Sequence, residues 1–206
     1  VPGSEYLDLR YTVQPGDNTP RLQYAGTVAF TNDVGSYVRD LSDNDADLTL
    51  PLLTSPNSLG GSKEIIIDTT APWVINVTST NDNGLYTTNT TINVLVQFNE
   101  RVWVSNFPAM RLDTGGINRD AVYVGGSGTT NLAFEYVVES GDWTTNLNYL
   151  TTNSFSNSFG GVITDAAGNN ARMGLPPLAS VHSLGRNKSI AIDTIPPTVV
   201  NVTSTN

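Results

Sequence analysis

One short segment concentrates acidic side chains in a pattern that could bind a metal ion. Four carboxylates fall within eight residues, those of Asp40, Asp43, Asp45 and Asp47. Ca²⁺ takes six to eight oxygen ligands, and the last three of these residues have the 1-3-5 spacing of a calcium loop. Leu48 stands where such a loop needs glycine, and no Glu occupies position 12. The segment is therefore either a Ca²⁺ site or a solvated acidic loop.

Four Asn-X-Ser/Thr sequons could accept N-linked glycans, at Asn76, Asn89, Asn187 and Asn201. With 22 Asn and 43 Ser plus Thr, chance alone gives between four and five, so their number is no enrichment. We expect Asn76 to face solvent, because alternation places Ile75 and Val77 on the opposite, apolar face. The same argument applies to Asn201, and the other two fall in predicted loops. Covalent glycans are expected if the source is a eukaryote.

Catalytic motifs are missing from the sequence. There is no GxSxG, no phosphate-binding loop and no HExxH. The chain has one histidine, His182, and no cysteine. Its 19 acidic residues include no specific pair of the kind that a glycosidase uses. We therefore predict that the protein is not an enzyme.

The composition predicts an all-β protein outside the cell. Thr, Asn and Ser supply 65 of 206 residues, whereas charged residues supply only 14%. Thr suits the exposed face of a strand, and Asn and Ser suit turns. A net charge of −9 argues against nucleic-acid partners. No run of 18 apolar residues indicates a transmembrane helix, so we expect an extracellular or cell-surface protein without membrane insertion.

An internal repeat defines the elements that must position these side chains. Ile65–Asn81 (IIIDTTAPWVINVTSTN) returns as Ile190–Asn206 (IAIDTIPPTVVNVTSTN), an offset of 125 residues. Aligned without gaps at that offset, residues 1–81 and 126–206 are identical at 36 of 81 positions. Chance does not produce this level of identity, so the sequence contains two copies of one pattern.

The period of 125 divides the chain into one complete and two partial units. Residues 68–193 make the complete unit, residues 1–67 match the C-terminal part of a unit, and residues 194–206 match the first strand of the next. Half a unit would have open strand edges and half a core. We therefore expect either longer chains on both sides or neighbouring molecules that complete the halves.

Strands are predicted wherever apolar residues alternate with polar ones. Three segments show the pattern most clearly: Ile92, Val94, Val96 and Phe98; Leu132, Phe134, Tyr136 and Val138; and Leu7, Leu9, Tyr11 and Val13. No segment shows a helical period. Short strands separated by turns every 8 to 12 residues favour immunoglobulin-like β-sandwich repeats.

A series of motifs then carries a resemblance: IDTTAP (67–72), VLVQFNERV (94–102), MRLDTGG (110–116), ITDAAGNNA (163–171) and LGRNKSIAIDT (184–194). The series resembles tandem bacterial-type Ig-like repeats of large surface adhesins and extracellular filament proteins. The resemblance implies no catalysis, and it implies Ca²⁺ near domain junctions at Asp68, Asp165 and Asp193. For Asp68 and Asp193 the alternative is a turn before proline. The first copy departs from the family loop, reading RDLSDNDAD at 39–47, so we expect that loop to differ.

Three tryptophans could contact a neighbouring domain or stack on a sugar. Trp73 is matched by Thr198 in the repeat, and Trp143 by Asn18. Since these two positions accept polar residues, we expect them outside the core, in a contact between domains or subunits, where Trp is enriched. Sugar binding and incidental exposure, which also apply to Trp103, are the alternatives.

We hypothesise a structural segment of an extracellular fibre made of head-to-tail Ig-like units. In a sharper version, the final strand is added to the open N-terminal half of a neighbouring copy. The residues expected to carry that assembly are Trp73, Val199, Val200 and Val202. The alternative is the stalk or spacer of a cell-surface adhesin or carbohydrate-binding module.

Overall fold

The computed structural model describes residues 5–204, without the side chains of residues 156–159. The described chain consists mainly of strands, with two four-residue helices, α1 (Leu59–Ser62) and α2 (Leu184–Asn187). The all-β prediction is therefore confirmed. The chain divides into two compact units between Thr70 and Ala71, and each unit is described by itself.

All the strands found among residues 5–204 lie in the second unit. They are β1 (Val74–Ser79), β2 (Gly84–Tyr86), β3 (Thr91–Asp113), β4 (Arg119–Gly125), β5 (Thr129–Val137), β6 (Trp143–Thr144), β7 (Asn148–Tyr149), β8 (Phe155–Thr164) and β9 (Ile190–Asp193). A six-stranded antiparallel sheet contains β1, β3, β4, β5, β7 and β8, and a three-stranded sheet has the order β2-β9-β6.

The long strand β3 organises the larger sheet. Its first part pairs with β1 on one side and β5 on the other, and its last part pairs with β4, β7 and β8. Between Ser105 and Ala109 the register with β8 shifts twice. Asn106 has a φ of 59° there, and Pro108 has no N–H to donate. This irregular stretch lets one strand pair with different partners at its two ends.

The core of the second unit follows the alternation of the sequence. Ile92, Val94, Val96 and Phe98 of β3 are at most 1% exposed, and the set beginning at Leu132 in and beside β5 is at most 2% exposed. Both strand predictions are confirmed. Burying each such side chain contributes roughly 1.5–3 kcal/mol of transfer free energy.

The smaller sheet brings the end of the unit back to its beginning. Strand β9 lies parallel to β2, with Ile190 opposite Gly84, and antiparallel to β6, with Asp193 opposite Trp143. Two residues of β9, Ile190 and Ile192, are buried. The end of β9 therefore lies directly beside β2 and β6.

The first unit has the turns of a folded domain without its strands. Helix α1 is capped by Ser58, whose Oγ accepts a hydrogen bond from the Gly61 amide. The strand predicted from Leu7 to Val13 is wrong: this segment belongs to no strand, and its four apolar side chains are 47–77% exposed. The physical reason is that a strand needs a neighbouring strand to pair with its backbone and to pack beside its apolar side chains. The described part of this unit contains no such strand.

Candidate functional site

The acidic loop of the first unit directs its carboxylates onto its own backbone. Asp40 Oδ1 accepts hydrogen bonds from the amides of Ser42 and Asn44 at 2.8 and 2.9 Å, and its Oδ2 accepts one from Asn44 Nδ2 at 2.8 Å. These bonds, the Asn44 side chain first, lower the pKa of Asp40. Asp45 forms a 2.5 Å ion pair with Arg39 Nε. Asp40 and Asp45 are thus both paired with nearby residues of the same loop.

The fourth member of the loop is occupied in the same way. The Thr49 amide donates to Asp47 Oδ1 at 2.9 Å, and hydrogen bonding from Thr49 lowers the pKa of Asp47. Among the described residues, no three carboxylates of this loop lie within 4.8 Å of one another. The structure does not bring the sequence-predicted ligands together, and Ca²⁺ binding here stays a prediction.

The corresponding loop of the second unit has the same geometry. Asp165 Oδ1 accepts from the Asn169 amide at 2.8 Å, and its Oδ2 accepts from Asn169 Nδ2 at 2.7 Å. The residue with positive φ is Gly168 (90°) here and Asp43 (64°) in the first unit. One Asp–Asn pair therefore closes both turns, and a difference between the two loops in Ca²⁺ binding stays a prediction.

The remaining predicted junction ligands form turns within their own units. Asp68 Oδ1 accepts from the Thr70 amide at 2.9 Å, and Asp193 Oδ1 accepts from the Ile195 amide at 3.0 Å, which is the turn that the sequence offered as the alternative. In the second unit, Asp165 has a carboxylate oxygen within 4.8 Å of one from Glu100. Sequence reasoning missed Glu100, since nothing in its neighbourhood marks it as a ligand.

We call the polar cluster of Asp142, Tyr136, Glu139 and Arg119 in the second unit the carboxylate lock. Asp142 is fully buried, and its Oδ2 accepts from the Tyr136 hydroxyl at 2.5 Å and the Glu139 amide at 2.8 Å. Its Oδ1 receives Arg119 Nε at 2.9 Å, while another nitrogen of that guanidinium lies 2.7 Å from the Glu139 carboxylate. Burial, then the bond to Asp142, raises the pKa of Tyr136.

The same lock is half formed in the first unit, 125 residues earlier. The Tyr11 hydroxyl donates to Asp17 Oδ2, and the Gln14 amide donates to the same oxygen at 2.6 Å. The Gly16 amide bonds Thr69 Oγ1 at 2.9 Å, as Gly141 bonds Thr194 in the second unit. Asp17 Oδ1 accepts no hydrogen bond within the described chain. The part of the lock supplied by Arg119 has no equivalent.

The first unit exposes an apolar face whose counterparts form a core. We call Leu7, Leu9, Tyr11 and Val13 the acceptor face. These side chains are 58, 77, 54 and 47% exposed, against 0, 0, 2 and 1% for Leu132, Phe134, Tyr136 and Val138. Of the twelve core positions matched in both copies, only Ile67 is buried in the first unit. The difference follows from missing neighbours, since the residue types largely agree.

The C-terminal residues predicted to carry assembly are exposed as well. Val199, Val200 and Val202 are 84, 93 and 87% exposed. Their counterparts lie in β1, where Val74 and Val77 are buried but Ile75 is 38% exposed. A register shift between Val74 and Asn76 explains the last value. The prediction that Ile75 shares the buried face is therefore wrong.

The tryptophans lie at the surface of the second unit, as expected for Trp73 and Trp143. Trp73, Trp103 and Trp143 are 42, 42 and 50% exposed. The Trp73 amide donates to Asn99 Oδ1 at 2.7 Å. The Trp143 indole packs so closely on Gly115 that a Cβ there would lie 2.6 Å from its Nε1. That glycine has a φ of 86°, so it permits both the turn and the close contact.

Two of the four sequon asparagines bond to each other. Asn187 Nδ2, the atom that a glycan would occupy, donates to Asn76 Oδ1 at 2.7 Å and to the Val77 carbonyl at 2.8 Å. Asn187 closes α2 rather than lying in a loop. Asn89 and Asn201 are exposed. The four sites are thus unequal, and glycosylation of each stays a prediction.

A surface groove of about 1020 Å³ lies in the second unit, beside the end of β9. Its walls include Leu85, Asn89, Glu139 and Ile195, and a smaller cavity of about 260 Å³ continues past Trp143. The lone His182 is exposed and lies outside both. Within the described residues, no helix is long and apolar enough to cross a membrane.

Comparisons with protein-family models, curated proteins and solved structures give no match. The internal repeat is therefore the one comparison from which function can be argued. It compares the second unit, which has an apolar core, with the first unit, which shares several of its turns and lacks that core.

Proposed function

We propose that this chain is a structural segment of an extracellular fibre built head to tail from Ig-like β-sandwich units with a 125-residue period. One observation carries the proposal. The hydrogen bond between Tyr11 and Asp17 recurs 125 residues later between Tyr136 and Asp142. The apolar residues around the second bond are buried in a core, whereas those around the first are exposed.

The paired turns support reading the first unit as the second half of a sandwich. Tyr24 donates to the Pro51 carbonyl as Tyr149 does to Pro176. The Leu22 amide bonds the Ile65 carbonyl at 2.7 Å, as Leu147 bonds Ile190. Two sheets around one apolar core in the second unit fit the sandwich class. Tandem units of this kind contact only their neighbours, which suits an extended fibre or stalk.

Strand addition between copies is the sharper form of the proposal. The exposed valines near the C-terminus repeat β1, which in the second unit bonds outside its sheet as well: the Val77 amide donates to the His182 carbonyl at 2.9 Å. The repeat matches Val202 to Val77 and Asn57 to His182. In this proposal residues 199–204 of one copy form a strand along the Asn57 segment of a neighbour.

A stalk or carbohydrate-binding module is the second candidate, favoured by Trp143. Its ring is held against Gly115, half exposed, at the end of the groove. A fixed aromatic surface is suited to stacking on a sugar ring. A glycan binder would stay monomeric and lose binding in Trp143→Ala but not in Trp103→Ala.

Electron microscopy of the native material, with denaturing mass analysis of the same sample, tests the fibre. Strands of 8 to 10 residues at about 3.4 Å each give an expected axial repeat of roughly 30–40 Å. Filaments that dissolve to 22 kDa chains would support strand addition, and deletion of residues 194–206 should then abolish them. Fibres of far heavier chains would support covalent tandem units. Monomers without fibres would contradict the proposal.

A further inference from the structure

We infer that the acceptor face of the first unit binds a strand pair of the same kind as β3 and β4 of this chain, supplied by another unit of the repeat. The inference rests on the proposed function and names the partner that completes the first unit. Its starting point is the contrast between the exposed acceptor face and its buried counterparts.

The second unit gives the register of the contact. Ile92 lies opposite Tyr136, Val94 opposite Phe134 and Val96 opposite Leu132 in the β3–β5 ladder. The repeat replaces these β5 residues by Tyr11, Leu9 and Leu7. A β3-like donor would thus place its alternating apolar residues beside those of the acceptor face, on the same side of the sheet.

The partner must supply two strands. In the second unit β5 pairs with β3 on one side and with β4 on the other. Strand β1 pairs only with β3 and not with β5. The β1-like segment 199–204 of a second copy is therefore not matched to pair with the segment that carries the acceptor face. Strand addition by that segment alone is therefore insufficient, and the donor is a hairpin-like β3–β4 pair.

Charge complementarity points to the same partner. In the second unit Arg119, the first residue of β4, donates to Asp142 Oδ1. Asp17 uses Oδ2 for Tyr11 and Gln14, as Asp142 does for its own unit. Its Oδ1 is left without a hydrogen bond among the described residues. A β4-like strand with an arginine at its start would occupy that oxygen.

A second copy of this chain is a poor source of the donor. Its own residues 71–125 already bury Ile92, Val94 and Val96, and lending them would expose as much core as it covers. The donor is therefore a strand pair of this kind that is not already paired within its own unit.

The first experiment grafts a copy of residues 71–125 in front of Val1 of the full chain, in the order that the complete unit uses. Hydrogen exchange at residues 7–13 should slow at least tenfold, and a second cooperative unfolding transition should appear, because paired core strands exchange only through larger openings. The matched control carries Asn at the grafted positions 92, 94 and 96 and should exchange like the parent. Unchanged exchange in the native-sequence graft would overturn the inference.

A disulfide tests the register even if the graft folds weakly, since the chain has no cysteine. Asn93 pairs with Glu135, whose counterpart is Arg10. Cysteines at Arg10 and the grafted Asn93 should oxidise readily, because antiparallel partners lie about 4.5–5.5 Å apart at Cα. The control moves the first cysteine to Tyr11, on the opposite face. Equal oxidation in both, or none in either, would contradict the register.

The two proposals fail separately in these experiments. A graft that protects residues 7–13 in material that forms no fibre would leave the inference standing and remove the fibre. Fibres formed by the native material, together with a graft that leaves residues 7–13 unprotected, would support the fibre and overturn the inference.

Discussion

Residues 5–70 and their counterparts at 130–195 share turns but not burial, and the difference separates local from non-local contributions to folding. The two bonds from Asn44 to Asp40 recur from Asn169 to Asp165, and α1 recurs as α2, although only Ser58 of the two N-cap serines accepts a bond with its side chain. These features depend on residues close in sequence, so each copy forms them alone. The core depends on strands supplied from residues 71–125, and only the second copy has them.

The comparison also shows what completes a polar network. Tyr11 and Asp17 make their bond in the open, where it is solvated and contributes little. Tyr136 and Asp142 make the same bond inside, where Arg119 completes it. Tyr136 and Asp142 lie in the part of the repeat that both copies share. The positive charge that compensates the burial of Asp142 comes from Arg119, which lies outside that part.

The largest expected effect comes from matched leucines. Leu132→Ala should destabilise the second unit by about 3 kcal/mol, since it leaves a cavity in a closed core. Leu7→Ala should change the unfolding of the parent chain by less than about 0.5 kcal/mol, because that side chain is exposed. Urea unfolding followed by circular dichroism measures both. In the grafted chain Leu7→Ala should lower the free energy of unfolding by as much as Leu132→Ala does. Equal losses for the two variants in the parent chain would contradict the difference in burial between the two units.

The lock gives the next effect. Asp142→Asn keeps the shape but removes the charge that accepts Arg119 and Tyr136, and should cost about 2 kcal/mol. All three tryptophans lie in the second unit, so fluorescence during urea unfolding reports that unit selectively. Asp17→Asn should leave the fluorescence transition where it was. A shift of equal size for both variants would contradict the assignment of the lock to the complete unit.

The sequence predicted the class, the repeat and the central strands, because alternation and turn residues are local signals. Ile92 to Phe98 and Leu132 to Val138 were identifiable for that reason. It failed for Leu7 to Val13, which has the right pattern but no neighbours. It also missed Arg119 and Glu100, since their partners lie 23 and 65 residues away and only the fold brings them together.

Alkaline pH should destabilise the complete unit through its buried tyrosines. Burial raises the pKa of Tyr149 to about 12, against 10 in an unfolded chain. The unfolded state therefore loses this proton first, so the stability is fully present below pH 10 and falls as pH rises from 10 to about 12. The expected slope is at most about 1.4 kcal/mol per pH unit for this residue, and Tyr136 adds to it.

Fluorescence-detected urea unfolding between pH 9 and 12 measures that slope. Tyr149→Phe should reduce it, whereas Tyr24→Phe at the matched position of the first unit should not alter it. A slope that is the same in all three proteins would rule out Tyr149 as its source.

The smallest expected effect concerns the two aspartate loops, which share a backbone but differ in charge. If the four carboxylates at 40–47 bind Ca²⁺ with the millimolar Kd of an extracellular module, 1 mM Ca²⁺ should stabilise the first unit by about 0.4 kcal/mol. Calorimetric titration should then show binding that is lost in Asp43→Gly/Asp45→Asn, which gives this loop the residues of the second unit. Because Gly168 already holds the matching left-handed position, the double variant should keep the turn, so lost heat would mean lost ligands. Binding that survives in the double variant but disappears in Asp165→Asn would place the site in the second unit, beside Glu100. Absence of a binding heat in the parent protein would mean that neither loop binds Ca²⁺.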